Sequence, residues 1–230
     1  MTPILYSDVV VLGVDPAPSK KTVIFDGNEF RPVKAKDLYA ALRRLADGHR
    51  ALVAWDAPLS FDPAYGLSDR QVDKEERARV KKAGASFAKG AVSVLTFSAC
   101  SHWAISCHVL GLPYGLPEDR FHLVDSPTKI DGSRCAIEVH PAVTLGRWWL
   151  ASAQPGAMPR YKGSASECGK IVDKLSPFLE QIGAGPVPPD ARLSDDNLDA
   201  WVAWRMGMDF LSGNAVWCGS PKQGGYVLPR

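Results

Sequence analysis

The sequence predicts an α/β fold built on a mixed sheet with helices against its faces. Three observations predict it. Residues 9–14 (Val-Val-Val-Leu-Gly-Val) and 51–55 (Ala-Leu-Val-Ala-Trp) are continuous apolar runs, as strands covered on both faces should be. Between them the order reads strand, strand, helix, so the whole run is strand, strand, strand, helix, strand. A helix joining two strands of one sheet implies a right-handed crossover and parallel pairing.

Each element follows from local chemistry. After the first strand, "PAPSK" is turn material, "KTVIF" a second strand, "DGN" a hairpin turn and "EFRPVKA" a third strand. Pro32 cannot donate to a ladder, which makes that third strand an edge. From Lys36 to Asp47, Leu38, Leu42 and Leu45 recur at helical spacing and Gly48 stops the helix. Residues 50–55 return as a strand. The block 62–133 reads as an inserted helical or lid segment within a single domain, 1–230. It holds a charged helix, "DRQVDKEERARVKKAG", closed by Gly84 and expected to be solvated, then "SACSHWAISCHVLG", a packed helix ended by Gly111, then loop over 112–133. "RCAIEVHPAV" is a further strand and "AVTLGRWWLA" begins a helix. A loop over 154–164, a helix near 166–182, the linker "GAGPVPPDA" and a last helix from about Asp195 to Leu211 complete the chain.

Composition excludes little by itself. A net charge of +2 over 230 residues produces no global field that would announce a nucleic-acid binder, yet a local basic groove would suffice for one. "MTPILYSDVV" lacks the basic and apolar regions of a signal peptide, and no stretch approaches the ~20 apolar residues of a membrane span. Five cysteines without framework spacing point to a reduced, cytoplasmic chain. Cys100, His102, Cys107 and His108 fit none of the usual zinc spacings, and packing on a helix accounts for them.

The acids carry the functional signal. Asp15 and Asp56 each sit just past the C-terminal end of a parallel strand, the side of the sheet where such folds bind ligands. Glu138 lies near another strand end. In the last helix Asp199, Ala203, Met206 and Phe210 fall in one narrow stripe, so Asp199 extends the core-facing side. Asp195 and Asp196 flank that stripe on opposite sides, and spacing does not choose between them. Beside Ser194 as N-cap they also suit the helix dipole, which explains both without a function. An acid after a strand is by itself most often a turn or cap residue. Four carboxylates that did converge would repel by about 4 kcal/mol per pair at ~4 Å and an effective dielectric of ~20. Such a cluster takes up protons or cations, and an all-oxygen donor set favours Mg²⁺ or Mn²⁺ over Zn²⁺. Carboxylate-held metal pairs serve phosphoryl transfer, so a two-metal phosphodiesterase is the expected chemistry.

The strand order and the acids resemble the ribonuclease H-like fold. More narrowly, "GVDPAPS", "AWDAPLSF", "IEVHPAVTL", "RYKG", "DDNLDAWVAW" and "GGYVLP" resemble a family of predicted RNase H-like nucleases, long catalogued as domain of unknown function number four hundred and twenty-nine. The resemblance implies a ribonuclease H-like mixed sheet, with three antiparallel strands followed by parallel ones, acting on nucleic acid, DNA or RNA. It implies Asp15, Asp56 and Asp199 as ligands of Mg²⁺ or Mn²⁺, with Asp196 as the partner three residues before Asp199, and in the two-metal chemistry expected here Asp15 would bridge two ions. Glu138 would line the site and hold or orient a water, and Lys162 would contact a phosphate. His140 is read as structural. Pro16, Ala17 and Pro18 depart from the Gly or small residues that follow the first acid in relatives. Two other readings keep the fold: an actin- or sugar-kinase-like nucleotide hydrolase, against which "DPAPSKK" offers no glycine, and a non-catalytic binding module.

Overall fold

The apolar runs become the inner strands of a six-stranded mixed sheet. The computed structural model describes residues 8–47, 49–60, 70–82, 97–111, 121–130, 134–220 and 224–230. Its elements are β1 (Val9–Asp15), β2 (Lys21–Phe25), β3 (Phe30–Lys34), α1 (Ala35–Leu45), β4 (Arg50–Trp55), α2 (Gln71–Lys82) and α3 (Phe97–Leu110). There follow β5 (His122–Leu123), β6 (Arg134–Glu138), α4 (Pro141–Ala151), α5 (Ala165–Gln181), α6 (Asp195–Ser212), β7 (Ala215–Ser220) and β8 (Gly224–Pro229). The sheet order is β3-β2-β1-β4-β6-β5. The first three strands are antiparallel neighbours, and β4, β6 and β5 continue parallel to β1. The expected edge strand, crossover helix and parallel return are all present. Gly48 and Gly84, the expected helix stops, lie outside the described residues.

Two elements escape the sequence reading. β5 is a two-residue strand inside a stretch read as loop, and β7 with β8 forms a separate hairpin that, among the described residues, pairs with the segment after β6 through a bridge between Val139 and Val227. One expectation is overturned. The charged helix is not simply solvated: Arg70, just before α2, and Val72, Asp73 and Glu76 within it are buried, whereas Gln71, Lys74, Glu75 and Arg79 are exposed. Arg70 and Glu76 reach partners in distant segments, Arg70 with Glu138 and Glu76 with Arg147 of α4.

Strand alternation divides the core in two. Val11 and Leu52 with Ala54 join the cluster that holds α4, α5 and α6, whereas Leu12, Val14, Val53 and Trp55 join the one that holds α1 and α3. Trp55 donates its indole N–H to Ser106 Oγ of α3 at 2.7 Å. Trp201 meets Trp148 of α4, ring centroids 6.1 Å apart, and Trp204 packs edge-on to Phe25 of β2. The abundant tryptophans thus serve packing here.

The contact between α6 and β1 is unusually close because a glycine lies at its centre. A Cβ on Gly13 would stand 2.1 Å from the Ala200 carbonyl oxygen and 2.3 Å from the Trp204 amide nitrogen, both backbone atoms that cannot swing aside. Gly13→Ala is therefore expected to push α6 off the sheet. Overpacking of this kind costs about 1–3 kcal/mol, read as a lower Tm. The same displacement should weaken any function that needs α6 and β1 in register. Wild-type melting behaviour in Gly13→Ala would refute the close approach.

Candidate functional site

Register and parity bring three acids together. Val14 pairs with Trp55 in the parallel ladder, and the Asp56 N–H donates to the Val14 carbonyl at 2.9 Å, so Asp15 and Asp56 are neighbours across adjacent strand ends. With a side-chain period of two, Asp15 follows Val11 and Gly13, and Asp56 follows Leu52 and Ala54, onto the face covered by α6. Asp199 arrives from that helix. Its N-cap, Ser194, accepts a hydrogen bond from the Asn197 amide at 3.1 Å, and the stripe Asp199, Ala203, Met206 and Phe210 is wholly buried. Carboxylate oxygens of Asp15, Asp56 and Asp199 all lie within 4.8 Å of one another.

The electrostatics follow from that crowding. Burial first, then the neighbouring charges of Asp199 and Asp56, raise the Asp15 carboxyl well above its usual range. Burial and Asp199 do the same to Asp56. Asp199 is completely buried and has two donors: the Tyr161 hydroxyl donates to its Oδ1 at 2.8 Å, and the Lys162 ammonium pairs with its Oδ2. Burial works against the charge on Lys162, but Asp199, with Asp56 and Asp15 behind it, holds the ammonium protonated. Three acids therefore share one ammonium, and a donor set of carboxylates without imidazole or thiolate suits a hard divalent cation such as Mg²⁺ or Mn²⁺.

The other expected site residues are placed as follows. Asp196 is partly exposed and accepts from Lys20 Nζ at 2.5 Å, beside the trio rather than within it. Of the two first-turn acids, Asp196 is the one whose charge bears on Asp15, while Asp195 bears on Asp199. Glu138 lies outside the trio, although its charge bears on Asp56. It pairs with Trp55 in the ladder, so it shares the face of Trp55 and not that of Asp56. Its Oε2 accepts from the Leu59 N–H at 2.7 Å, the Ser60 N–H at 3.2 Å, the Ser60 hydroxyl at 3.1 Å and Arg70 Nη1 at 3.0 Å, and its Oε1 accepts from Arg70 Nη2 at 2.6 Å. Glu138 thereby anchors the segment that follows Asp56. Burial, with Arg70 and Lys162 nearby, lowers His140 to about 3 and keeps its ring neutral.

The sequence reading gives Tyr161, Arg70 and Lys20 no role at the site. Tyr161 stands beside Lys162 in "RYKG", where an aromatic next to a cation carries no periodic signal. Arg70 looked like one charge among many in a charged helix, and its partner Glu138 is 68 residues away. Lys20 lies in a turn.

A family model described as "Protein of unknown function (DUF429)" matches residues 13–223. Neither a curated protein nor a solved structure matches the chain.

Proposed function

The chain belongs to the DUF429 family, and from the acids that meet at its sheet edge we propose that it is a metal-dependent nuclease hydrolysing phosphodiester bonds of nucleic acid on a ribonuclease H-like scaffold. One observation carries the reading: carboxylate oxygens from β1, from the end of β4 and from α6 lie within 4.8 Å of one another. The antiparallel β1–β2–β3 meander, with β4 and β6 added parallel to β1, supports the ribonuclease H-like assignment.

In this reading Asp15, Asp56 and Asp199 hold Mg²⁺ or Mn²⁺, with Asp196 closing the rim beside Asp15. Bound there, the cation supplies Lewis acidity and a water ionised near neutral pH. The chain's own residues set the frame. Tyr161 fixes the orientation of Asp199 through its hydroxyl. Lys162, half-exposed and paired with Asp199, offers its ammonium to a non-bridging phosphate oxygen once a divalent cation takes over the charge of the acids. Glu138 holds the Leu59 and Ser60 amides and so fixes the chain just after Asp56. Hydrolysis adds water to phosphorus, breaks one P–O ester bond, and sends the proton to the leaving alcohol.

The test is cleavage of labelled DNA and RNA oligonucleotides by the purified chain with Mn²⁺, paired with thermal melts. Mn²⁺ is expected to raise Tm, since a ligand at 100 times its Kd adds about 2.7 kcal/mol to the folded state. EDTA is expected to remove both effects. The absence of both cleavage and a Mn²⁺-dependent rise in Tm would sink the proposal.

A further inference from the structure

Beyond the acids, the outer edge of the sheet carries cations that the fold does not neutralise. Lys21 of β2 and Lys34 of β3 are directly paired in the antiparallel ladder, and like charges so placed destabilise a sheet. Lys34 is also the N-cap of α1 and makes no side-chain capping bond, and Lys36 sits in the first turn, where the helix dipole disfavours a cation. All three side chains are exposed. Among the described residues none of them, nor Arg44, has an acidic partner within ion-pair distance. Together Lys21, Lys34, Lys36 and Arg44, with Asp37 the one acid, line a groove of about 530 Å³ between β3 and α1.

The topology sets the mouth of this groove, at Lys21, Lys34 and Lys36, on the same end of the sheet as the acids, and α1 carries its other end, at Arg44, back along the face opposite α6. Asp15 is level with Val23, Val23 with Pro32, and Lys21 and Lys34 stand two residues further toward the acid-bearing end. Strands lie ~4.8 Å apart and rise ~3.3 Å per residue, which puts Lys21 roughly 5 Å across and Lys34 roughly 10 Å across from Asp15, both about 7 Å beyond it. Lys20, paired with Asp196 at the rim of the acids, stands between the two.

We propose that the groove between β3 and α1 binds the phosphate backbone of the nucleic acid whose scissile bond lies at Asp15, Asp56 and Asp199. Lys21, Lys34 and Lys36 contact successive phosphates, Arg44 marks the far end, and Lys20 links the groove to the acids. The surface names the direction in which the substrate leaves the site and rests, for that direction, on the nuclease reading. The mutual repulsion of Lys21 and Lys34 is relieved when a polyanion lies between them.

The experiment compares the wild-type chain with Lys21→Ala/Lys34→Ala/Lys36→Ala. The probe is a fluorescent single-stranded oligonucleotide of about 20 nucleotides, followed by anisotropy at several salt concentrations in EDTA, where cleavage does not occur. A contact to a single-stranded phosphate contributes a slope of about 0.7 to log K against log salt. The triple variant is therefore expected to bind about 50-fold more weakly at 0.15 M salt, with the slope reduced in magnitude by about 2. Mn²⁺-dependent hydrolysis of bis(p-nitrophenyl) phosphate, which is too small to reach the groove, is expected to stay unchanged. Melting temperature, expected to hold or rise, confirms the fold. Unchanged oligonucleotide affinity and salt slope would overturn the groove. If the variant also self-associated on gel filtration, the lysines would instead be guarding the β3 edge against pairing. Lost hydrolysis in Asp15→Asn together with intact groove binding would leave both readings standing. Absent hydrolysis in the wild type would sink the nuclease and leave the groove to be judged by binding alone.

Discussion

Asp15→Asn is expected to abolish Mn²⁺-dependent cleavage while leaving the melting temperature unchanged or higher. The two halves of this result come from one cause. Asp15 contributes an oxygen to a trio spanning 4.8 Å, and an amide in its place keeps the shape but removes a charge that a divalent cation needs. Losing an outer partner of a metal ligand costs about 10–100-fold, so losing the ligand itself should exceed about 10³-fold. The metal-free protein, however, gains. Its three carboxylates share one ammonium, Lys162, and Asn in place of Asp15 removes repulsion without opening a cavity. A variant that lost both activity and several degrees of Tm would mark Asp15 as structural. Undiminished cleavage would remove the site altogether.

The same repulsion fixes a pH dependence. Asp15 and Asp56 have carboxyls raised well above the ordinary value of 3.8 by burial and by neighbouring acids. The folded state therefore keeps protons that the unfolded chain has already released. That contribution to stability is fully present below the unfolded pKa near ~4 and is lost as pH rises through the raised folded values. In EDTA, the Tm of the wild type relative to Asp15→Asn should fall as pH rises from about 4 toward neutrality. Mn²⁺ should close that difference at neutral pH in favour of the wild type, because only the intact trio exchanges its protons for the cation.

The sheet was legible because its information is local. Val9 to Val14 and Ala51 to Trp55 are apolar on both parities, which only a doubly covered strand requires. Asp199 was legible because a helix stripe is periodic, and an acid on that stripe conflicts with burial unless something binds it. What could not be read depends on pairing across the chain. Glu138 looks like the third strand-end acid, but the ladder sets it opposite Trp55 and leaves Val139 level with Asp56, so one residue of register turns it to the other face. The hairpin of β7 and β8 is missed because "AVWCGS" and "GGYVLP" carry glycines in place of clean alternation, and its strands are held by each other more than by the main sheet. β5, with two residues, is too short for any period. Arg70 is the sharpest case: nothing in "SDRQVDKEE" distinguishes a buried guanidinium from a solvated one, because the distinction lies in Glu138, at the end of another strand.

That buried pair leads to the second large effect. Arg70→Met is expected to lower Tm by about 10 °C or more. Arg70 is 1% exposed, and its guanidinium meets Glu138 through Nη1 and Nη2 and Asp73 through Nε to Oδ2 at 2.9 Å and, sharing Nη2, to Oδ1 at 3.2 Å. Burial works against its charge, and Glu138 with Asp73 more than restores it, holding the guanidinium firmly protonated. Methionine fills much of the volume but takes the Arg70 charge away from two buried carboxylates, Glu138 and Asp73. Removing one partner of a buried pair costs about 3–5 kcal/mol, and each kcal/mol is worth roughly 2–4 °C in a chain of this size. Asp73 adds a second loss, since its Oδ2 also accepts the Arg70 backbone N–H at 2.9 Å and so closes the first turn of α2. Glu138→Gln should cost less, because Arg70 keeps Asp73 and the amide can still accept from Leu59. The double variant Arg70→Met/Glu138→Gln should recover part of the loss, a non-additivity expected of groups in contact. The contrast with Asp15→Asn separates two kinds of buried acid in one protein: Glu138 is matched to its cation within the fold, whereas Asp15, Asp56 and Asp199 outnumber theirs. An Arg70→Met variant melting within about 2 °C of the wild type would show that Glu138 does not depend on Arg70, and would return it to the acids available for the site.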